Sequence, residues 1–234
     1  MRPTFWPTVV TLPLLIALLA LGTWQLDRRA WKEALITERT AHLAAPPITL
    51  AETGGYDVVP AFLRVTVEGT FLHGRELHLS AISREGELGF YVLTPLRTRG
   101  GSLVVINRGW VPPDRKPPAL RDAGQPADPV VVEGVVRRGG RPSLFTPDNQ
   151  PDENIWYWID LPAMSRALGA EVAPFIVEAG PVPNPGGFPV GGQTPSEIRN
   201  NHLQYAITWY ALAGALSVIY ALYHRRRPPN GEAI

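Results

Sequence analysis

The stretch Leu203-Gln-Tyr-Ala-Ile-Thr-Trp-Tyr-Ala-Leu-Ala-Gly-Ala-Leu-Ser-Val-Ile-Tyr-Ala-Leu-Tyr223 decides how the chain is organised. No Asp, Glu, Lys or Arg interrupts it. At ~1.5 Å rise per residue it covers roughly 30 Å, the thickness of a bilayer's hydrocarbon core. It reads as a transmembrane helix over residues 202–224. The consecutive Arg225, Arg226 and Arg227 favour the anionic cytoplasmic leaflet and cross poorly, which puts His202 at the outer end. On a 3.6-residue helix His202, Tyr205, Trp209, Ala213, Leu216 and Tyr220 form one stripe, and Ala213, Ser217 and Ala221 form a small-residue row open to a second helix.

A second charge-free stretch covers residues 4–26, with leucines crowding its centre and Pro13 as an expected kink. The alternative is a cleaved signal peptide, since Ala20-Leu21-Gly22 offers small residues to a peptidase, but the stretch exceeds the ~7 to 15 residue apolar core of such a signal. Arg28, Arg29 and Lys32 follow this span and compete with the C-terminal arginines. Two spans place both termini on one side, and long intervening segments translocate largely regardless of charge, so both termini are expected in the cytoplasm and the main domain outside.

About 175 residues lie between the spans, enough for one domain with its own core. Net charge is +1 and the one dense basic run is the juxtamembrane triplet, which excludes a nucleic-acid footprint. The absence of cysteine excludes disulfides, thiolate zinc sites and iron–sulfur clusters. Arginine far outnumbers lysine, which is present only as Lys32 and Lys116, a bias typical of GC-rich bacterial genomes.

Residues 27–45 continue the first helix, supported by an Arg29/Glu33 pair, until Pro46-Pro47 ends it. Residues 46–179 hold short strand-like runs: 62–71, 76–79, 90–96, 103–111, 130–136, 156–159 and 175–178. One short helix is marked by Asp160 as N-cap, Pro162 in its first turn and Gly169 as its stop. These elements predict a mainly-β, α+β extracytoplasmic domain built as a small antiparallel sheet or barrel. A Pro/Gly-rich linker over 180–201 leads back to the membrane, and 225–234 form a cytoplasmic tail.

Four motifs, in order, carry a family resemblance: Gly22-Thr-Trp24-Gln25-Leu-Asp-Arg28-Arg-Ala-Trp31-Lys32, Asn107-Arg108-Gly109-Trp110-Val-Pro112, Asn154-Ile-Trp156-Tyr157-Trp158, and Asn201-His202-Leu-Gln-Tyr205-Ala206-Ile-Thr208-Trp209-Tyr210. The chain resembles the Surfeit locus protein 1 family of cytochrome c oxidase assembly factors. The resemblance implies a membrane protein, not an enzyme, that aids haem a insertion into oxidase subunit I, with haem a synthase as a further partner; with the arginine bias, the membrane expected is a bacterial inner membrane. The family histidine near the outer end of the second span falls on His202.

His202 is thus a candidate haem-iron ligand, with Tyr205 and Trp209 one and two turns further along to pack against the ring. The plainer reading is a boundary histidine that meets water, orphan backbone donors or headgroups. Arg108 could reach a haem propionate; the structural alternative stacks it on Trp110 while Gly109 supplies an unusual backbone angle. Trp24, Trp31, Trp209 and Tyr223 read as interface anchors. His73 and His78 read as surface residues rather than a metal pair. No nucleophile elbow or phosphate loop is present. Two other functions stay in view: a haem-free structural chaperone of subunit I, and a membrane-anchored sensor of a small ligand.

Overall fold

The computed structural model describes residues 5–52, 55–56, 59–193 and 200–225. The chain divides into two compact units, residues 1–38 with 197–234, and residues 39–196. Arg226 and Arg227, on which the expected orientation leans, lie outside the described residues, as do 194–199 of the expected linker.

The first unit holds the two spans. Helix α1 covers Phe5–Ala44 and continues through Pro13; helix α3 covers His202–Arg225. Only 11% of the most apolar window of each is buried, so most of the leucines, isoleucines and valines face outward. A core helix of a water-soluble domain would bury that surface; these are membrane-spanning helices. They pack antiparallel. The Thr8 and Tyr220 hydroxyls are 2.6 Å apart, and those of Thr23 and Tyr210 are 3.1 Å apart. A Cβ at Gly22 would come within 2.7 Å of the Tyr210 ring, so glycine makes room for that ring at the crossing.

The least exposed positions of α3 are His202, Ala206, Trp209, Ala213, Leu216 and Tyr220, and those of α1 include Thr11, Leu15, Leu18, Gly22 and Gln25. Both sets step by alternating threes and fours, the spacing of a left-handed two-helix seam. Two sequence expectations are corrected here. Ala206, not Tyr205, carries the seam through the first turn, and Tyr205 is 53% exposed. Of the small-residue row, Ala213 is buried, Ser217 lines the cavity between the helices, and Ala221 is exposed. The reason is geometric: 202 and 205 are 300° apart and drift off the face, whereas 202 and 206 are 400° apart and return to it.

The second unit is the β domain. Its strands are β1 (Ile48–Thr49), β2 (Arg64–Phe71), β3 (Leu77–Ile82), β4 (Leu88–Thr98), β5 (Leu103–Val111), β6 (Val130–Arg137), β7 (Ile155–Trp156) and β8 (Val172–Ala179). The spatial order is β1-β2-β6-β8-β5-β4-β3-β7, and β2 also pairs with β4. That last pairing closes β2, β6, β8, β5 and β4 into a barrel. The expected antiparallel arrangement is amended, because β1–β2, β3–β7 and β5–β8 are parallel.

Val65, Val67 and Phe71 of β2 point inward with Leu96, Val104, Ile106, Phe175 and Val177. A second cluster lies on the other face of β5 and β8, where Leu103, Val105 and Ile176 meet Trp156, Met164 and Leu168. Strand β5 is therefore buried throughout, as its unbroken apolar start requires. Met164 and Leu168 come from helix α2 (Leu161–Leu168), whose N-cap Asp160 accepts from Ala163 N–H and whose Gly169 has φ 61°. Strand β7 is shorter than the expected 156–159 run. Asn149 Oδ1 takes the backbone N–H groups of Tyr157, at 2.8 Å, and Trp158, at 3.3 Å, so those residues cannot extend the ladder.

Candidate functional site

The first turn of α3 places His202 against the first span. Its Nδ1 is 2.7 Å from Gln25 Oε1, and since an amide oxygen can only accept, Nδ1 carries the proton. The Nε2 lone pair is then the free one, the arrangement in which an imidazole binds a metal with its orientation fixed from behind. Trp209 lies on the same seam, and its Nε1–H is buried without an acceptor. Tyr205 stands off that face. Gln25 is the functional candidate that sequence reasoning misses, although a lone amide in an apolar helix is a signal that the side chain needs a polar partner.

Arg108 lies in the β domain and is 2% exposed. Its Nη2 donates to Gly124 O and, at 2.8 Å, to Asn184 Oδ1. The guanidinium sits over the Phe71 ring with Cζ 4.6 Å from the centroid, so the expected stacking on Trp110 is corrected to Phe71. Burial lowers its pKa to about 10, the cost of a cation with no carboxylate hydrogen-bonded to it. Gly109 has φ 127°, and a Cβ there would lie 2.1 Å from Val190 O. Close approach is needed because Trp110 and Val190 exchange backbone hydrogen bonds of 2.9 and 2.8 Å. The Asn-Arg-Gly-Trp motif therefore clamps residues 184–190 onto the barrel, and the expected linker begins as a packed strap.

A second buried polar group surrounds Glu76. Arg121 donates to both carboxylate oxygens, Nη1 to Oε2 at 3.2 Å and Nη2 to Oε1, and His78 Nε2 lies 3.4 Å from Oε1. Burial pushes the Glu76 pKa up, but the hydrogen bonds of His78 and Arg121, with their charge, outweigh it and hold the carboxyl below its ordinary value. Asn154 adopts φ 53°, which asparagine tolerates, and donates to Glu76 O at 2.8 Å while accepting from Trp156 Nε1 at 3.1 Å. His78 is 7% exposed, and His73 is partly buried with Nε2 3.0 Å from Pro126 O. Neither is the surface residue expected from sequence: β3 carries His78 inward to Glu76, and the turn before it seats His73 against residue 126. Burial lowers the His73 pKa.

The same stretch of chain matches a known family. Residues 12–214, which take in part of each span and every motif described above, match the SURF1 family. The chain belongs to the SURF1 family. A SURF1-like protein of Monosiga brevicollis is 38% identical over 226 residues, covering 92% of this chain and 85% of its own. Surfeit locus protein 1 of Homo sapiens is 35% identical over 226 residues, covering 90% and 75%. That of Takifugu rubripes is 36% identical over 220 residues, covering 86% and 89%. In this SURF1-family chain the second motif supplies barrel strand β5 and clamps the strap, the third supplies β7 and braces Glu76, and the first and fourth meet where Gln25 holds His202.

Proposed function

We propose that this SURF1-family chain is an assembly factor for haem–copper cytochrome c oxidase in a bacterial inner membrane. Its proposed partners are oxidase subunit I and haem a synthase, and its cargo is haem a. Both termini would be cytoplasmic and the β domain periplasmic. The observation that carries the reading is the similarity to Surfeit locus protein 1 over nine-tenths of this chain. The chemistry of the outer turn supports it: an imidazole held at Nδ1 by Gln25 and free at Nε2 is a fitting iron ligand, and exposed Tyr205 offers an aromatic face one turn on.

The cavity of about 140 Å³ between the helices, lined by Thr8, Thr11, Leu12, Leu15, Ser217 and Tyr220, lies toward the other end of α3. Haem at His202 would thus rest on an open helix face, which suits cargo that must be handed on. The test is purification of the tagged protein from cells making haem a. Haem absorbance that tracks protein supports the reading.

A second reading is a haem-free chaperone of subunit I. Its specific support is the pair of exposed small residues Gly214 and Ala221 on α3, where a Cβ at Gly214 would meet open space. A haem-free preparation that still retains subunit I would favour it.

A further inference from the structure

Between β6 and β7 the chain runs Arg137-Arg-Gly-Gly-Arg-Pro-Ser-Leu-Phe-Thr146. Leu144 and Phe145 are 92% and 91% exposed, the two most exposed large apolar side chains among the described residues. A floppy loop could carry such residues by accident, but this one is braced. Thr146 N–H donates to Ser143 O at 3.0 Å, Ser143 N–H donates to Thr146 Oγ1 at 3.0 Å, and the two hydroxyls are 2.7 Å apart. Leu144 and Phe145 therefore occupy the two central positions of a closed turn, and both side chains are driven outward. The base is tied as well, by Gly140 N–H to Ile159 O at 3.2 Å and by Asn149 Nδ2 to Trp158 O at 3.1 Å.

We propose that this turn is a membrane-inserting tip, with Leu144 and Phe145 entering the headgroup and upper acyl region of an anionic bilayer. Three observations select lipid over protein. Two side chains bury far less than the ~800 Å² per partner of a stable protein interface, whereas interfacial insertion requires only a small apolar tip. Arg141 at the turn is exposed, and residues 137–146 contain no acid, so the tip itself presents a cation to anionic headgroups, while Arg137 and Arg138 are engaged by Glu178 and Val59 O. Finally, the spans confine the β domain to the bilayer surface, so a weak insertion operates at high effective concentration. Insertion would fix the tilt of the β domain over its own leaflet.

The absence of cysteine makes the test direct in the full-length protein. Leu144→Cys, labelled with an environment-sensitive nitrobenzoxadiazole probe, is reconstituted into phosphatidylethanolamine/phosphatidylglycerol vesicles. The control is Val131→Cys, on a strand face that is 67% exposed. We expect blue-shifted emission at 144 and at least two-fold stronger quenching by lipids spin-labelled high on the acyl chain than at 131. Phe145→Asp in the same background should abolish the difference, and Arg141→Glu should reduce it in anionic but not in zwitterionic vesicles. Emission at 144 equal to that at 131, with full access to aqueous iodide, would overturn the proposal. So would a shift that lipid quenchers leave untouched and that grows with protein density, which would mean a second copy covers the turn.

Discussion

Gln25 and His202 stand on different spans, 177 residues apart in sequence, with Gln25 Oε1 2.7 Å from His202 Nδ1. The pair sets the tautomer of the imidazole and ties the first turn of α3 to the middle of α1. Gln25→Leu keeps the volume and removes the acceptor. We expect it to leave the protein inserted but to lower haem affinity about 10- to 100-fold, the usual cost of losing a partner behind a metal-binding histidine. Haem titration of purified protein, followed by absorbance, measures it.

Glu76 and Arg121 form the best-buried ion pair of the β domain, with side chains 3% and 2% exposed. Arg121→Met leaves the carboxylate buried without its main partner and should cost about 3–5 kcal/mol. The pH dependence has a definite sign. The folded-state pKa of Glu76 lies below its ordinary 4.5, so the pair's contribution is present above that value and is lost as pH falls through the lower folded-state value. Thermal unfolding between pH 7 and 3 should show a falling Tm below about 4.5. Glu76→Gln should flatten that limb.

Gly109→Ala tests the strap. Alanine at φ 127° is strained, and its Cβ would overlap Val190 O at 2.1 Å. We expect a loss of at least about 2 kcal/mol and faster proteolysis within residues 181–193. A protease pattern unchanged from the parent would mean the strap is held elsewhere.

Orientation is tested at Gln125, in the β domain. Gln125→Cys should label with a membrane-impermeant thiol reagent in intact cells whose outer membrane alone has been permeabilised. Labelling only after lysis would place the β domain in the cytoplasm.

Much of this architecture is legible in the sequence because local chemistry and tertiary structure agree. The α2 helix follows its cap, its proline and its glycine to the residue, and β5 begins and ends at Leu103 and Val111 as its apolar run requires. What is not legible arises between distant segments. Barrel closure depends on Gly69 facing Thr98, where a Cβ would strike Arg97 O at 2.2 Å, and no local pattern announces it. Arg108 reads locally as a neighbour of Trp110, yet its ring partner Phe71 and its acceptors on Gly124 and Asn184 come from three other segments. His202 is visible as a boundary histidine, but its first-span partner emerges only when antiparallel packing brings Gln25 beside it.

The most direct test of the central claim is the haem content of His202→Ala per mole of folded, membrane-inserted protein. Alanine removes the lone pair and leaves the span apolar. Tyr205→Phe, which keeps an aromatic ring on an exposed face, serves as the comparison. His202→Ala is expected to accumulate normally and lose haem, while Tyr205→Phe retains most of it. Undiminished haem in His202→Ala would contradict the ligand assignment and leave the haem-free chaperone as the better description of this chain.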